Sequence, residues 1–209
     1  MSDFPLLQTT REDLNFLKHR WLDLVGQYGG TDAAKERWFV TLSERYSERS
    51  RFYHNLHHIA EMLRLLDSLV GAQDIEAVSV AAWFHDAVYD TWKSDNEERS
   101  ADLASQALGE LWARAETVAE VRQLILATKK HEGEGFRPSA RLFLDADLSI
   151  LGAGEEVYLQ YSEAIRRVKL RQHIYIKPRR AMRIVQCLDS VGILDSSPSL
   201  YRAWICCLP

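Results

Sequence analysis

The spacing of the apolar residues restricts this chain to a helical fold. Leu56, Ile59, Leu63 and Leu66, for example, follow one another at steps of three or four residues. Side chains at such steps share one face of an α-helix, whereas the side chains of a strand change face at every residue. No alternating segment, Asn-Gly hairpin or tandem repeat interrupts the pattern. The sequence therefore predicts an all-α fold.

Cap and turn residues divide this pattern into separate helices. Thr10 is a suitable N-cap for the first helix, and Gly29-Gly30 is expected to end it. Ser94 and Glu97 have the spacing of a capping box, with Ser94 as the N-cap. A loop is expected over 133–138. Later helices are predicted to begin at Thr31 or Asp32 and to cover about 56–70, 75–88, 95–112, 116–130, 142–151, 155–172, 178–191 and 199–205.

Size and charge exclude several classes of protein. The 209 residues are 46% hydrophobic and 27% charged, which predicts one folded domain over 1–209. A net charge of −4 disfavours nucleic acid as the main partner, because such a chain has no global positive field. The longest apolar run, over 77–84, is far shorter than the roughly 20 residues that cross a bilayer. The expected protein is therefore not a membrane protein.

The ends of the chain and its cysteines favour a reducing cytoplasm. The first residues have neither the basic start nor the apolar segment of a secretory signal. Three cysteines are an odd number without the spacing of a disulfide framework. Cys206 and Cys207 are adjacent, and we interpret them as free thiols without a function.

Histidines and acidic residues gather in three short segments. The first contains His54, His57 and His58; residues four apart share a helix face, so His54 and His58 can point at one volume, with His57 about 100° away. The second is His85-Asp86, at the polar end of a very apolar segment. The third is an apolar run over 142–148 that contains two acids, Asp145 and Asp147.

These segments predict a metal site. Burying three polar groups in apolar surroundings is expensive, and a bound metal offsets that cost. Two imidazoles and two carboxylates form a borderline ligand set that accepts divalent Mn, Fe, Zn, Co or Mg. An octahedral ion held by four ligands leaves two positions for water or substrate. From the residues alone, Asp145 and Asp147 are both candidates for the last ligand.

The order H…HD…D on a helical chain resembles the HD superfamily of metal-dependent phosphohydrolases, in particular its small single-domain bacterial members. The resemblance extends from Arg51 through Tyr161 and fades after Arg167, which gives a motif-bearing core of about 51–167 and an atypical C-terminal tail. It implies a single HD-type helical bundle, a divalent metal, and hydrolysis of a phosphate ester or anhydride.

A narrower similarity implies roles for individual residues. The segment Tyr53-His54-Asn55-Leu56-His57-His58 is similar to the Tyr-His-Asn-x-x-His signature of cyclic-nucleotide phosphodiesterases, a distant HD branch. Carried over, His54 becomes the general acid and His58 a metal ligand, with His85 and Asp86 as the paired ligands. The run Ala146-Asp147-Leu148-Ser149 matches the last acid of that branch, so the similarity selects Asp147 and leaves Asp145 as the alternative.

Further residues are candidates for binding the substrate. Asn96 and Glu97 follow the HD pair at a distance where related enzymes place polar residues of the active site, although Glu97 is also the expected capping partner. Lys129, Lys130 and His131 can neutralise phosphate charge, while a cation at a helix C-terminus is equally explained by the helix dipole.

The expected reaction uses a water whose pKa the metal lowers, with His54 donating a proton to the departing oxygen. The expected substrate is a nucleotide or another small phosphorylated metabolite. Two other functions stay open from the sequence: a non-catalytic module that binds a nucleotide in the same pocket, and a di-iron oxygenase on the HD scaffold. The sequence gives no prediction of oligomeric state.

Overall fold

The all-α prediction is confirmed by a computed structural model, which describes residues 3–69, 75–131 and 136–170. The helices in this part are α1 Arg11–Gly26, α2 Asp32–Tyr46, α3 Leu56–Leu69, α4 Ile75–Phe84, α5 Asn96–Glu110, α6 Ala115–Ala127, α7 Pro138–Asp147 and α8 Glu155–Leu170. Short 3-10 helices cover Pro5–Leu7 and Ser149–Gly152. The helices expected over 178–191 and 199–205, together with Cys206 and Cys207, lie outside the described residues.

Helix α4 forms the centre of the fold. Eight of its ten residues are buried, and it packs against α1, α3, α5, α6 and α7. Its last two residues, Trp83 and Phe84, lie within 5.3 and 6.4 Å of the Trp21 ring of α1, measured between ring centroids. Burying aromatic rings of this size provides a large share of core stability. The C-terminal end of α4 is therefore firmly fixed, and His85 follows directly after it.

The expected starts of the first two helices agree with the structure. Thr10 and Asp13 form a reciprocal capping box, in which the Asp13 amide donates to Thr10 Oγ1 at 3.0 Å and the Thr10 amide to Asp13 Oδ2 at 2.9 Å. Thr31 caps α2 through its contact with the Ala34 amide at 3.2 Å. Within the described ranges, no helix is both long and apolar enough to cross a membrane.

The expected capping box at Ser94 is wrong. Helix α5 begins at Asn96, after Asp95, whose side chain makes no capping bond. The reason is the Asn96 side chain, which accepts from the Asp90 amide at 2.9 Å and donates to the Asp90 carbonyl at 2.9 Å. Asn96 thus fastens the preceding loop to the start of α5, and Glu97 lies 3.9 Å from Lys129 Nζ instead of capping the helix.

The boundaries of three other helices also differ from the sequence prediction. Helix α1, which Gly29-Gly30 was expected to end, already ends at Gly26. The helix expected over 75–88 ends at Phe84. The helix expected over 142–151 is α7, which begins four residues earlier, at Pro138, and ends at Asp147. Proline at a first helical position lacks only an amide that has no helical partner there, so Pro138 marks a start that the apolar spacing did not reveal.

Gly30 joins the N-terminal helices to the end of α5. Its amide donates to the Leu111 carbonyl at 3.0 Å. A Cβ at this position would lie 2.7 Å from Leu111 Cα and 3.1 Å from Glu110 O, so only glycine fits this backbone contact.

We expect Gly30→Ala to lower the free energy of unfolding by about 1–3 kcal/mol, the usual cost of overpacking. The matched control is Gly26→Ala, because a Cβ there meets no atom within 4 Å and helical alanine is favoured over glycine. Urea unfolding of both variants measures the difference. Equal stability of the two variants would contradict the close-approach explanation.

Candidate metal centre

Three polar side chains from separate helices meet in the interior. His58 lies in the first turn of α3, His85 directly follows α4, and Asp147 is the last residue of α7. Asp147 Oδ1 is 3.2 Å from His58 Nε2 and 3.3 Å from His85 Nε2. The three ligand atoms lie within 4.8 Å of one another. Because both histidines are only 2–3% exposed, the cluster is a buried polar site.

Asn55 determines where the first histidine segment becomes helical. Its Oδ1 accepts from the His57 amide at 2.9 Å, as a helix-capping side chain does, and its Nδ2 donates to the Leu7 carbonyl at 2.9 Å. Helix α3 therefore begins after Asn55, and His54 lies outside it. The sequence argument that His54 and His58 share a helix face is wrong in its geometry, although their ring centroids are still only 5.9 Å apart.

The end of α4 brings two neighbouring residues to one place. Consecutive helical side chains point about 100° apart. Because α4 ends at Phe84, the chain turns at His85, and Asp86 Oδ2 lies 3.3 Å from His85 Nε2. The His85 ring is itself fixed, since its Nδ1 donates to the Ala82 carbonyl at 3.0 Å. Nε2 is therefore the nitrogen that faces the carboxylates.

The donor set fits a divalent metal. Within the described residues His85 Nε2 is fully buried and has no partner with hydrogen-bond geometry, although two carboxylate oxygens lie 3.3 Å away. Ligand atoms that share a metal at about 2.0–2.1 Å are themselves roughly 3.0–3.4 Å apart. The separations of 3.2 and 3.3 Å between Asp147 Oδ1 and the two imidazole nitrogens match that range. An imidazole whose other nitrogen donates to a carbonyl is also the usual form of a metal-binding histidine.

The charged groups of the cluster shift one another's pKa values. Burial by itself would raise the pKa of Asp147, but His85 and hydrogen bonds from His131 and His58 hold it well below its usual value. Burial likewise would lower the pKa of His85, yet Asp86 and Asp147 raise it well above the usual value. Without a metal, a proton on His85 Nε2 therefore balances part of the negative charge.

His54 lies beside the cluster but not in it. Its Nε2 is 3.7 Å from Asp86 Oδ2, and its ring centroid is 4.6 Å from that of Tyr89. Burial lowers the pKa of His54 to about 4, against the opposing effect of Asp86. The imidazole is accordingly neutral at pH 7 in the ligand-free protein.

The remaining candidates divide into those near the cluster and those away from it. His131 joins it, with Nε2 2.8 Å from Asp147 Oδ2. Neither Asp145 nor Asp86 belongs to the group of three side chains whose ligand atoms are mutually close in the described chain, although Asp86 Oδ2 lies 3.3 Å from His85 Nε2. Burial raises the pKa of Asp145, and Arg141 acts in the opposite direction. Lys130 is exposed. Lys129 is occupied elsewhere, because its Nζ donates to Glu98 Oε1 and to the Ser94 carbonyl, both at 2.6 Å.

Sequence reasoning missed four residues around the cluster. Tyr53 lies between the histidines and α8, with ring centroids 4.8 Å from His58 and 4.6 Å from Tyr161. Tyr89 contacts His54, and the buried Arg51 binds the Asp86 carbonyl at 2.7 Å. Only Tyr53 carried a signal, since it belongs to the quoted motif. Aromatic and basic residues have many structural roles, so type and spacing do not identify the others.

A second acidic group, Asp13, His57 and Glu61, also has its ligand atoms close together. Here Arg64 already supplies the positive charge, because its Nη1 lies 2.8 Å from Asp13 Oδ1 and 2.7 Å from Glu61 Oε1. His57 Nδ1 donates to Asp13 Oδ2 at 3.0 Å. This group is a salt-bridge network between α1 and α3.

The chain was compared with known protein families, curated proteins and solved structures. No protein-family model, curated protein or solved structure matches the chain. The site is therefore interpreted from its own geometry.

We expect Asp147→Asn to reduce the affinity for a divalent metal at least tenfold, because the change removes a charged ligand from the cluster. Asp145→Asn is the matched control, two residues away on the same helix, and should keep the affinity of the parent protein. Titration with Zn²⁺ followed by calorimetry measures both. Loss of metal in Asp145→Asn alone would reverse the assignment.

Metal uptake should release about one proton near pH 7. The raised pKa of His85 means that its Nε2 is protonated in the metal-free protein, and the metal displaces that proton. Affinity should therefore rise with pH, by up to about tenfold per pH unit, until the pH passes the pKa of His85. Zn²⁺ titrations at several pH values, in buffers of different ionisation enthalpy, test this. An affinity that does not change with pH would contradict it.

Proposed function

We propose that this protein is a metal-dependent phosphohydrolase that acts on a nucleotide or another small phosphorylated metabolite. The observation that carries the proposal is the buried His85 Nε2, which faces Asp86 and Asp147 without a hydrogen bond in the described part of the chain. Burying two carboxylates and a histidine this close together is costly, and a bound divalent metal offsets that cost. The order His58, His85-Asp86, Asp147 in a helical protein supports an HD-type phosphohydrolase over other metal enzymes.

His58, His85, Asp86 and Asp147 would hold the metal, with divalent Mn, Fe, Zn, Co or Mg as candidates. When bound, such an ion lowers the pKa of water and stabilises negative charge on a phosphoryl oxygen. The buried rings of Tyr53 and Phe143, next to His58 and His85, limit access of bulk water to the ligands from their side.

His54 is the proposed proton donor to the leaving oxygen. Its Nε2 lies near Asp86 but beyond hydrogen-bond distance, so the nitrogen remains available to a substrate. A pKa of about 4 makes His54 neutral at pH 7, and it must gain a proton before it can donate one. The negative charge of a bound phosphate raises this pKa, so that His54 takes up the proton when the substrate binds.

Two tyrosines can orient the substrate. Burial and the charge of Asp147 raise the pKa of Tyr53 well above its usual value, and the same two causes raise the pKa of Tyr161 to about 12. Both hydroxyls therefore stay protonated and can donate to phosphate oxygens. Of the basic residues considered for this role, Lys129 already pairs with Glu98, which leaves Lys130 and His131.

The deciding experiment combines metal analysis of the purified protein with a phosphate-release screen over nucleotides and phosphorylated metabolites. We expect about one divalent metal per chain and turnover of at least one compound, abolished by chelation and restored by metal. Nucleotide binding without phosphate release would indicate a binding module.

A di-iron oxygenase is the second candidate function. His131 contacts the second oxygen of Asp147 and could extend the ligand set to a second metal. Two irons per chain together with oxygen consumption would indicate the oxygenase. The metal stoichiometry and the iron content therefore separate the two candidates.

We expect His54→Gln to keep its metal and to lose turnover by about 10² to 10⁴, the usual contribution of general acid catalysis. The loss should be smaller for a nitrophenyl phosphate, whose leaving group departs without a proton. In the parent protein kcat should fall at alkaline pH, where the proton on His54 is lost, and this limb should disappear in the variant. His19→Gln is the control, because this exposed histidine of α1 bonds only to the Asn15 carbonyl among the described residues. An equal loss for good and poor leaving groups would exclude the acid role.

A further inference from the structure

Arg51 is a buried cation that forms no ion pair with a buried carboxylate among the described residues. It lies between α2 and α3 and is only 6% exposed. Arginine is seldom buried unless its charge and its donors are satisfied. The carboxylate with which it forms an ion pair, that of Glu48, lies 3.4 Å from Arg51 Nε and is 48% exposed at its side chain. A surface pair of this kind does not explain the burial of the guanidinium.

The guanidinium instead binds backbone oxygens from two segments of the proposed site. Nη1 donates to the Asp86 carbonyl at 2.7 Å and to the His54 carbonyl at 3.3 Å, while Nη2 donates to the Ala87 carbonyl at 3.3 Å. The Tyr46 and Tyr89 rings are stacked near it, with centroids 4.9 and 5.5 Å from Cζ. The aromatic contacts and the three carbonyls together hold the guanidinium in one orientation.

This arrangement connects two parts of the chain that the helices leave free. His54 precedes α3, and Asp86 follows α4, so no helical hydrogen-bond ladder fixes either residue. Arg51 links the backbones of both residues through one planar group. His54 Nε2 and Asp86 Oδ2 are 3.7 Å apart. This separation depends on the bonds from Arg51 to the backbone carbonyls of the two residues, and not on a bond between their side chains.

We propose that Arg51 is a positioning residue that joins the His54 segment to the His85-Asp86 turn and thereby sets the geometry of the metal-binding and proton-donating groups. This inference rests on the proposed function for the meaning of that geometry. Lysine cannot replace arginine here, because one ammonium group lacks the planar fork that reaches both segments.

The test compares Arg51→Lys and Arg51→Gln with Arg45→Lys in the full chain. Arg45 is the matched control, since its Nη1 also approaches the Ala87 carbonyl, at 3.4 Å, without contacting Asp86 or His54 by any bond in the described residues. In the metal-free protein we expect amide hydrogen exchange over 85–89 to be at least about tenfold faster in the Arg51 variants, with α3 unchanged. The Arg45 variant should exchange like the parent protein.

The second measurement uses Co²⁺ alone as the probe. Removing a residue that orients metal ligands typically weakens binding by about 10 to 100-fold, and we expect this loss and a changed Co²⁺ absorption spectrum in both Arg51 variants. The control should stay within about threefold of the parent protein.

The outcomes separate this inference from the proposed function. Parent-like exchange over 85–89 overturns the positioning role, and so does faster exchange spread evenly over all helices, which would make Arg51 a general stabilising residue. Parent-like Co²⁺ affinity in both Arg51 variants also overturns it. If the parent protein binds no metal, the proposed function fails, while exchange over 85–89 still decides whether Arg51 joins the two segments.

Discussion

The contact between Asp147 and the two imidazoles of His58 and His85 joins the ends of three helices in the interior. Removing a carboxylate from water costs several kcal/mol unless it is paired, and even a good pair seldom exceeds that cost. The cluster therefore does not hold the helices together by itself. The apolar packing of α4 and its neighbours has to place the three polar side chains, and the polar contact is possible only because that packing fixes the helix ends.

This division explains which parts of the structure could be predicted. Helix α3 was expected over 56–70 and is Leu56–Leu69, because its apolar face is continuous and apolar spacing is a local property of the sequence. The types of the buried polar residues were equally visible, since His85 follows an apolar segment and Asp147 interrupts another. Selection of Asp147 over Asp145 needed a resemblance, and the structure brings Asp147 to both histidines while Asp145 is absent from the cluster.

The parts that could not be predicted depend on contacts distant in sequence. Side chains that bind backbone groups decide where α3 and α5 begin, since Asn55 caps α3 and Asn96 fastens the loop before α5. Helix α4 ends at Phe84, although nothing at that position in the sequence disrupts a helix. Arg51 reaches a carbonyl 35 residues away, and no pattern of spacing encodes such a contact. Identifying the residues of a site and placing them are therefore separate problems in this chain.

Asp13 gives the N-terminal helix a larger part in the site than its position in the chain suggests. One carboxylate completes the capping box of α1, accepts a hydrogen bond from His57, and pairs with Arg64. Burial opposes ionisation, but these contacts lower the pKa of Asp13 to about 2, so the carboxylate that makes them is ionised at neutral pH. His57 is the neighbour of His58 on α3. The first helix thus supports helix α3, which carries His58. A shortened chain that began after α1 would lose this support of the candidate metal site.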